Sequence, residues 1–322
     1  MEIFSQNKTY DFMSKRNLFV SISLFFIISS FVLMFTKGFN WGIDFKGGTV
    51  VQVKFEQKAP IKEIRELLGK KYEGVSVTNF GSDEEVVIKF PVKVKNSVTK
   101  DMGDTIAQIL KPLGKFEVRR VDIVGAKVGG ELTEKGIKAL TFAIIGILIY
   151  VAFRFEWSFA VASVLALVHD ISISLGFVSL FNVDVNLDVL AALLTILGYS
   201  LNDTIVVFDR IREEVIESKE RSLAKIINSS VSKTLSRTTL TSLTTFFVVL
   251  TLFLFGGSII QPFSFTLLVG VVVGTYSSIF IASPLLIWLG FKVEDFRKNI
   301  ADKEKRRREK EKIRQQYQGG VL

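Results

Sequence analysis

Cysteine is absent, which excludes a disulfide framework and any thiolate metal site, and a single histidine leaves too few imidazoles for a zinc centre. No G-x-x-x-x-G-K-[ST] loop exists to cradle nucleotide phosphates, and the pair Gly47-Gly48 reads as a turn leading into a strand. The expectation is therefore a chain that is not an enzyme, with no metal and no cofactor. Lys and Arg are missing from residues 181–186 and 256–262, two gaps that bear on topology. What abounds is apolar: 48% of the 322 residues are hydrophobic and 29 are Phe, yet 23% are charged, so charged and apolar residues must occupy separate blocks. That segregation marks a membrane protein.

Residues 1–16 are polar, with Lys8, Lys15 and Arg16 just before an apolar run at 18–35 long enough to cross a bilayer. The run is longer than a signal-peptide core and no small-x-small cleavage pattern precedes Lys37, which predicts an N-terminal tail and uncleaved first span over 1–36. Residues 37–135 hold no stretch able to span a membrane. Alternation predicts strands at 49–56, 74–81, 85–90 and 115–123, and helical spacing predicts helices at 60–71 and 97–113, the second opened by a Ser or Thr cap. The order β-α-β-β-α-β is that of a ferredoxin-like α+β domain.

Over 136–290, apolar helical blocks at 137–153, 158–180, 187–208, 239–255 and 263–289 bring the spans to six, a polytopic α-helical membrane protein. The connection between the fourth and fifth carries Arg210, Arg212, Lys219, Arg221, Lys225, Lys233 and Arg237, and the tail at 291–322 is basic, contributing to a net charge of +9. The positive-inside rule puts both termini in the cytoplasm and the 37–135 domain outside it. Within 211–236, Val215, Leu223, Ile226, Ile227, Val231 and Leu235 recur at helical spacing, predicting an amphipathic helix along the inner face. The tail mixes Lys and Arg with Glu and reads as a solvated topogenic helix, with no nucleic acid expected as partner.

The costliest residue is Asp203, inside the fourth span. At ~1.5 Å per residue it lies roughly 24 Å from Leu187 in a hydrocarbon layer of about 30 Å. Burial there favours the neutral carboxyl, whereas a nearby guanidinium favours the ionised one. Arg237 opens the fifth span at similar depth, and with Thr241, Thr244 and Thr245 it forms a stripe at i, i+4, i+7 and i+8. If the two helices are neighbours, moving Arg237 or admitting water would load or release a proton at Asp203; the competing readings are a static ion pair and a carboxylate that snorkels to the interface. Asn202 and Thr204 flank the carboxylate, and Tyr199 and Ser200 extend a polar surface one turn earlier. Asp209 and Arg210 read as interfacial anchors. His169-Asp170 in the third span lies roughly 18 Å from that span's inner end, and is either a relay member or a self-satisfied polar pair. An aspartyl-protease dyad of Asp170 and Asp203 is disfavoured by their differing depths. The segment GVVVG at 270–274, followed by Ser277 and Ser278, reads as a small-residue packing face.

Five segments taken together, GIDFKGGT at 42–49, VGAKVGGEL at 124–132, ALVHD at 166–170, GYSLNDTIVVFDRIRE at 198–213 and RTTLTSLTT at 237–245, resemble the SecD/SecF protein-export membrane proteins, relatives of the resistance-nodulation-division transporters. The resemblance covers nearly the whole chain. It implies an accessory subunit in the bacterial inner membrane that works with SecD beside the SecYEG channel, using the proton motive force to draw a translocating polypeptide across the lipid bilayer. It also implies that Asp203 and Arg237 are the proton-path pair. A passive assembly scaffold and a small-molecule efflux transporter are the alternatives.

Overall fold

The computed structural model describes residues 8–80, 82–91 and 102–318. Uninterrupted apolar sequence produces long helices: α1 (Arg16–Thr36), then, after the sheet domain, α5 (Ala126–Arg154), α6 (Trp157–Leu180), α7 (Leu187–Glu217), α8 (Leu223–Phe255) and α9 (Gly257–Ser277). The last span continues through a π turn at Ser278–Ala282 into α10 (Ser283–Trp288). Pro284 supplies no amide to the preceding turn, and the Ser283 hydroxyl donates to the Ser278 carbonyl at 3.0 Å. Six helices of the described residues are long and apolar enough to cross a membrane. The spans that end in α6 and in α10 are the most enclosed, and α1 and α5 are the most exposed.

The sheet domain lies between α1 and α5. Strands β2 (Gly48–Phe55), β3 (Ser76–Phe80), β4 (Ser82–Pro91) and β5 (Phe116–Val124) form one antiparallel sheet in the order β3-β4-β2-β5. Alternation works as expected: Val51, Val53, Val86, Ile88 and Phe90 point to one face. There they bury Ile64 and Leu68 of α3 (Ile61–Gly69) and Ile106 and Leu110 of α4 (Met102–Leu110). The cap expected near residue 97 lies outside the described residues.

Two short elements join this domain to the bundle. Strand β1 (Asn40–Trp41) pairs in parallel with β6 (Asp184–Val185) in the α6–α7 loop, and α2 (Ile43–Lys46) places the Asp44 carboxylate 3.0 Å from the Leu187 amide that opens α7. Gly47 follows with φ of 76°, a left-handed turn suited to glycine. Lys89 of β4 bonds Asp184 at 2.5 Å, clamping the sheet to the same loop.

At the opposite, distal end the expected amphipathic helix over 211–236 does not exist as a separate element. Those residues are the ends of α7 and α8, broken only at 218–222. Their apolar stripe is real, but Ile211, Val215, Ile226, Ile227 and Val231 bury against protein, with Phe291, Val293 and Phe296. Helical periodicity identifies an apolar face and is silent on whether protein or lipid covers it. The basic tail is α11 (Val293–Gln318), whose Arg297 donates to the carbonyls of Val215, Ser218 and Glu220 at 2.6–2.8 Å, capping the end of α7.

Candidate functional site: two buried carboxylates in the helix bundle

Helix α7 packs against α6, α8 and α9, and Asp203 falls midway along its 31 residues. It is 2% exposed. Ser242 of α8 donates to Asp203 Oδ2 at 3.2 Å, and the Thr275 hydroxyl of α9 lies 2.8 Å from that of Ser242. One turn toward the sheet domain, the Tyr199 hydroxyl is buried and faces Ser242, Thr245 and Thr275 with no well-formed hydrogen bond to any of them. One turn toward the distal end, the Thr238 hydroxyl is likewise buried and unpartnered, as is that of Thr204.

Arg237 makes no ion pair within 4.0 Å of Asp203 among the described residues, although the two feel each other electrostatically. It is exposed, and lines a distal cavity of about 720 Å³ with Val206, Thr234 and the charged Asp209, Arg210 and Glu213. The stripe Arg237, Thr241, Thr244, Thr245 is therefore not the face of α8 that meets the carboxylate. Thr241, Thr244 and Thr245 bond carbonyls of their own helix. Ser242, five residues after Arg237 and so about 140° around the helix, reaches Asp203 instead. Spacing shows which residues share a face, not which face turns inward. Asn202 is exposed, and Asp209 pairs with Arg154 and Arg212 at 3.5 Å as an anchor at the bundle's end.

The second carboxylate, Asp170 of α6, is 0% exposed and fully ligated. His169 Nδ1 lies 2.7 Å from Oδ1, while Ser200 of α7 and Ser277 of α9 donate to Oδ2 at 2.5 and 2.8 Å. His169 stacks at 6.3 Å on Tyr276, whose hydroxyl donates to the Phe19 carbonyl of α1 at 2.8 Å. One polar node thus ties α6, α7, α9 and α1 together. Ser200, read as an extension of the Asp203 surface, belongs to this node, and Ser277, read as a packing residue, is one of its donors.

The two acids lie about one turn apart along α7, closer than helix counting suggests, with Asp170 on the sheet-domain side. Their partners are interleaved: Ser200 and Asp203 sit one turn apart on α7, Thr275 and Ser277 two residues apart on α9. Counting from Leu187 assumed that α7 starts at the hydrocarbon edge, whereas at about 46 Å the helix outruns the bilayer.

Six helices long and apolar enough to span a bilayer, with carboxylates and their serine donors buried between them, define an integral membrane protein. A family model for protein export membrane protein SecD/SecF, C-terminal, matches residues 105–292, and one for the SecD/SecF GG motif matches residues 32–59. The chain is 50% identical to the protein translocase subunit SecF of Helicobacter pylori over the full length of both, and 40% identical to that of Escherichia coli O157:H7 over 92% of this chain and 93% of the other. The chain belongs to the SecD/SecF family of protein-export membrane proteins. It is also similar to the crystal structure of SecDF, a translocon-associated membrane protein from Thermus thermophilus, with a TM-score of 0.79 and 35% identity. That match covers 89% of this chain but 39% of the SecDF chain. A SecDF structure in a super-membrane-facing form gives a TM-score of 0.67 at 33% identity.

Proposed function

We propose that this chain is the SecF-type subunit of a bacterial inner-membrane protein translocase, working with SecD beside the SecYEG channel and coupling proton movement through Asp203 to export of a polypeptide. The observation that carries the reading is Asp203 itself: buried mid-helix, held by a single hydroxyl donor, with a cavity rising toward it from the distal end. A carboxylate so sparsely held changes protonation at little structural cost. Arg237, at the cavity rim, is the cation whose approach favours the ionised acid and whose withdrawal favours the neutral one. A partner is supported by Asn202, Arg237, Thr241 and Thr244, polar residues on the open face of the spans that lipid would cover poorly. Two chain lengths of this kind approximate one SecDF polypeptide. The sheet domain is read as the ferredoxin-like, extracytoplasmic domain, with the lysine- and arginine-rich distal end in the cytoplasm.

The test is Asp203→Asn in inverted membrane vesicles containing SecD and the channel, with the proton and sodium gradients collapsed separately. The expected result is loss of gradient-driven completion of export, about tenfold or more, with the complex still assembled and sensitivity only to the proton gradient. Unchanged export would leave an assembly scaffold; sensitivity to sodium alone would replace the proton.

A further inference from the structure

Asp203 needs access to two sides in turn, and on one of them a cavity lies within a turn of it. Val206 of α7, three residues from Asp203, lines the distal cavity, and the buried Thr238 hydroxyl of α8 lies one turn from Ser242. Toward the sheet domain the situation reverses. There α7, α8 and α9 close on Leu193, Ile196, Val249, Leu267 and Val271, an apolar plug. Gly270 lies directly against Ile196, so close that a Cβ there would overlap its side chain.

Tyr199 is the boundary between these regimes. Its ring packs against the plug. Its hydroxyl lies on the other side, buried beside Ser242, Thr245 and Thr275 but with no well-formed hydrogen bond to any of them. An unpartnered buried hydroxyl is costly, roughly 1–3 kcal/mol by the usual measure of an unmade bond, and a structural tyrosine would do better as phenylalanine. The charged group that bears on it is Asp203, on its own helix, while Asp170 is occupied with His169, Ser200 and Ser277.

We propose that Tyr199 is the relay and gate on the sheet-domain side of Asp203, an inference that rests on the proton-coupling reading above. When the α7–α9 seam parts and water enters from that side, the phenolic oxygen accepts a proton from water as its own proton passes to an Asp203 oxygen, directly or by turning Ser242. The tyrosine is neutral before and after, and one proton has moved. With the seam shut, as here, the ring blocks the same route and Asp203 communicates only with the distal cavity.

The experiment uses the intact complex with SecD in vesicles, reading proton flux by a pH-sensitive dye together with gradient-driven export, for Tyr199→Phe, Tyr199→His and Asp203→Asn. Removing a hydroxyl that has no well-formed hydrogen bond leaves assembly intact, so the Phe variant should co-purify at wild-type level while flux falls about tenfold or more. Histidine, which both accepts and donates a proton, should restore flux; a structural role gives no such rescue. Flux within about twofold of wild type for Tyr199→Phe, with Asp203→Asn still inactive, overturns the relay and leaves the proposed function standing. Should the Phe variant fail to assemble, the His variant decides: inactive when assembled, it overturns the relay. Wild-type flux in Asp203→Asn overturns both.

Discussion

Asp170 and Asp203 are two acids of one bundle, buried to almost the same degree and resting on adjacent turns of α7, yet their surroundings divide sharply. Asp170 has three donors from three helices. Asp203 has one donor, unpartnered hydroxyls above and below, and water-accessible space one turn away. In the function proposed above, full ligation makes Asp170 a rivet, and partial ligation leaves Asp203 free to change protonation. Burial alone does not separate them, and the count of donors does.

The comparison breaks if the two acids respond alike. Asp170→Ala strands His169, Ser200 and Ser277 and should cost about 2–4 kcal/mol of bundle stability, seen as a lower midpoint in thermal unfolding of the detergent-solubilised complex, whereas Asp203→Asn should barely move that midpoint while abolishing coupling. A finer version removes one donor from each. Ser277→Ala should cost about 1 kcal/mol with gradient-driven export preserved; Ser242→Ala should slow export several-fold, because the hydroxyl that bonds Asp203 is gone.

The smallest effect lies outside the membrane. Asp11 is held below the ordinary carboxylate range, chiefly by the Asn228 amide and then by the Ser14 backbone N–H. Since its folded value is depressed, the stabilisation is complete above the unfolded value of about 3.9 and is lost as pH falls through the folded one. Asn228 also accepts from the amides of Phe12 and Met13 at 3.0 Å, so protection of those amides should weaken modestly as pH falls below the ordinary carboxylate range in the native chain. In Asp11→Asn that pH dependence should vanish.

Much of the architecture was legible from residues alone. The six spans follow from apolar runs, and the sheet strands from period-two alternation, within a few residues of 48–55, 76–80, 82–91 and 116–124. Local pattern was blind wherever meaning depends on a neighbour. It named Arg237 and Thr241 and passed over Ser242, since azimuth relative to α7 is set by packing. It assigned Ser277 to close packing because a serine's donor role is visible only once Asp170 stands opposite. The β1–β6 pair, two residues long and separated by most of the sequence between Asn40 and Asp184, leaves no periodic trace at all.

That pair also governs how force travels. Its backbone bonds, the Asn40 contact to Asp184 and the Asp44 bond to Leu187 fasten the base of the sheet domain to the head of a rod that carries Asp203 at its waist. A pull on the domain is therefore not dissipated in a floppy tether. It reaches α7 at its first residue, and in the proposed function a tilt there would shift the carboxylate against α8 and α9, so that mechanical load and proton occupancy would share one lever.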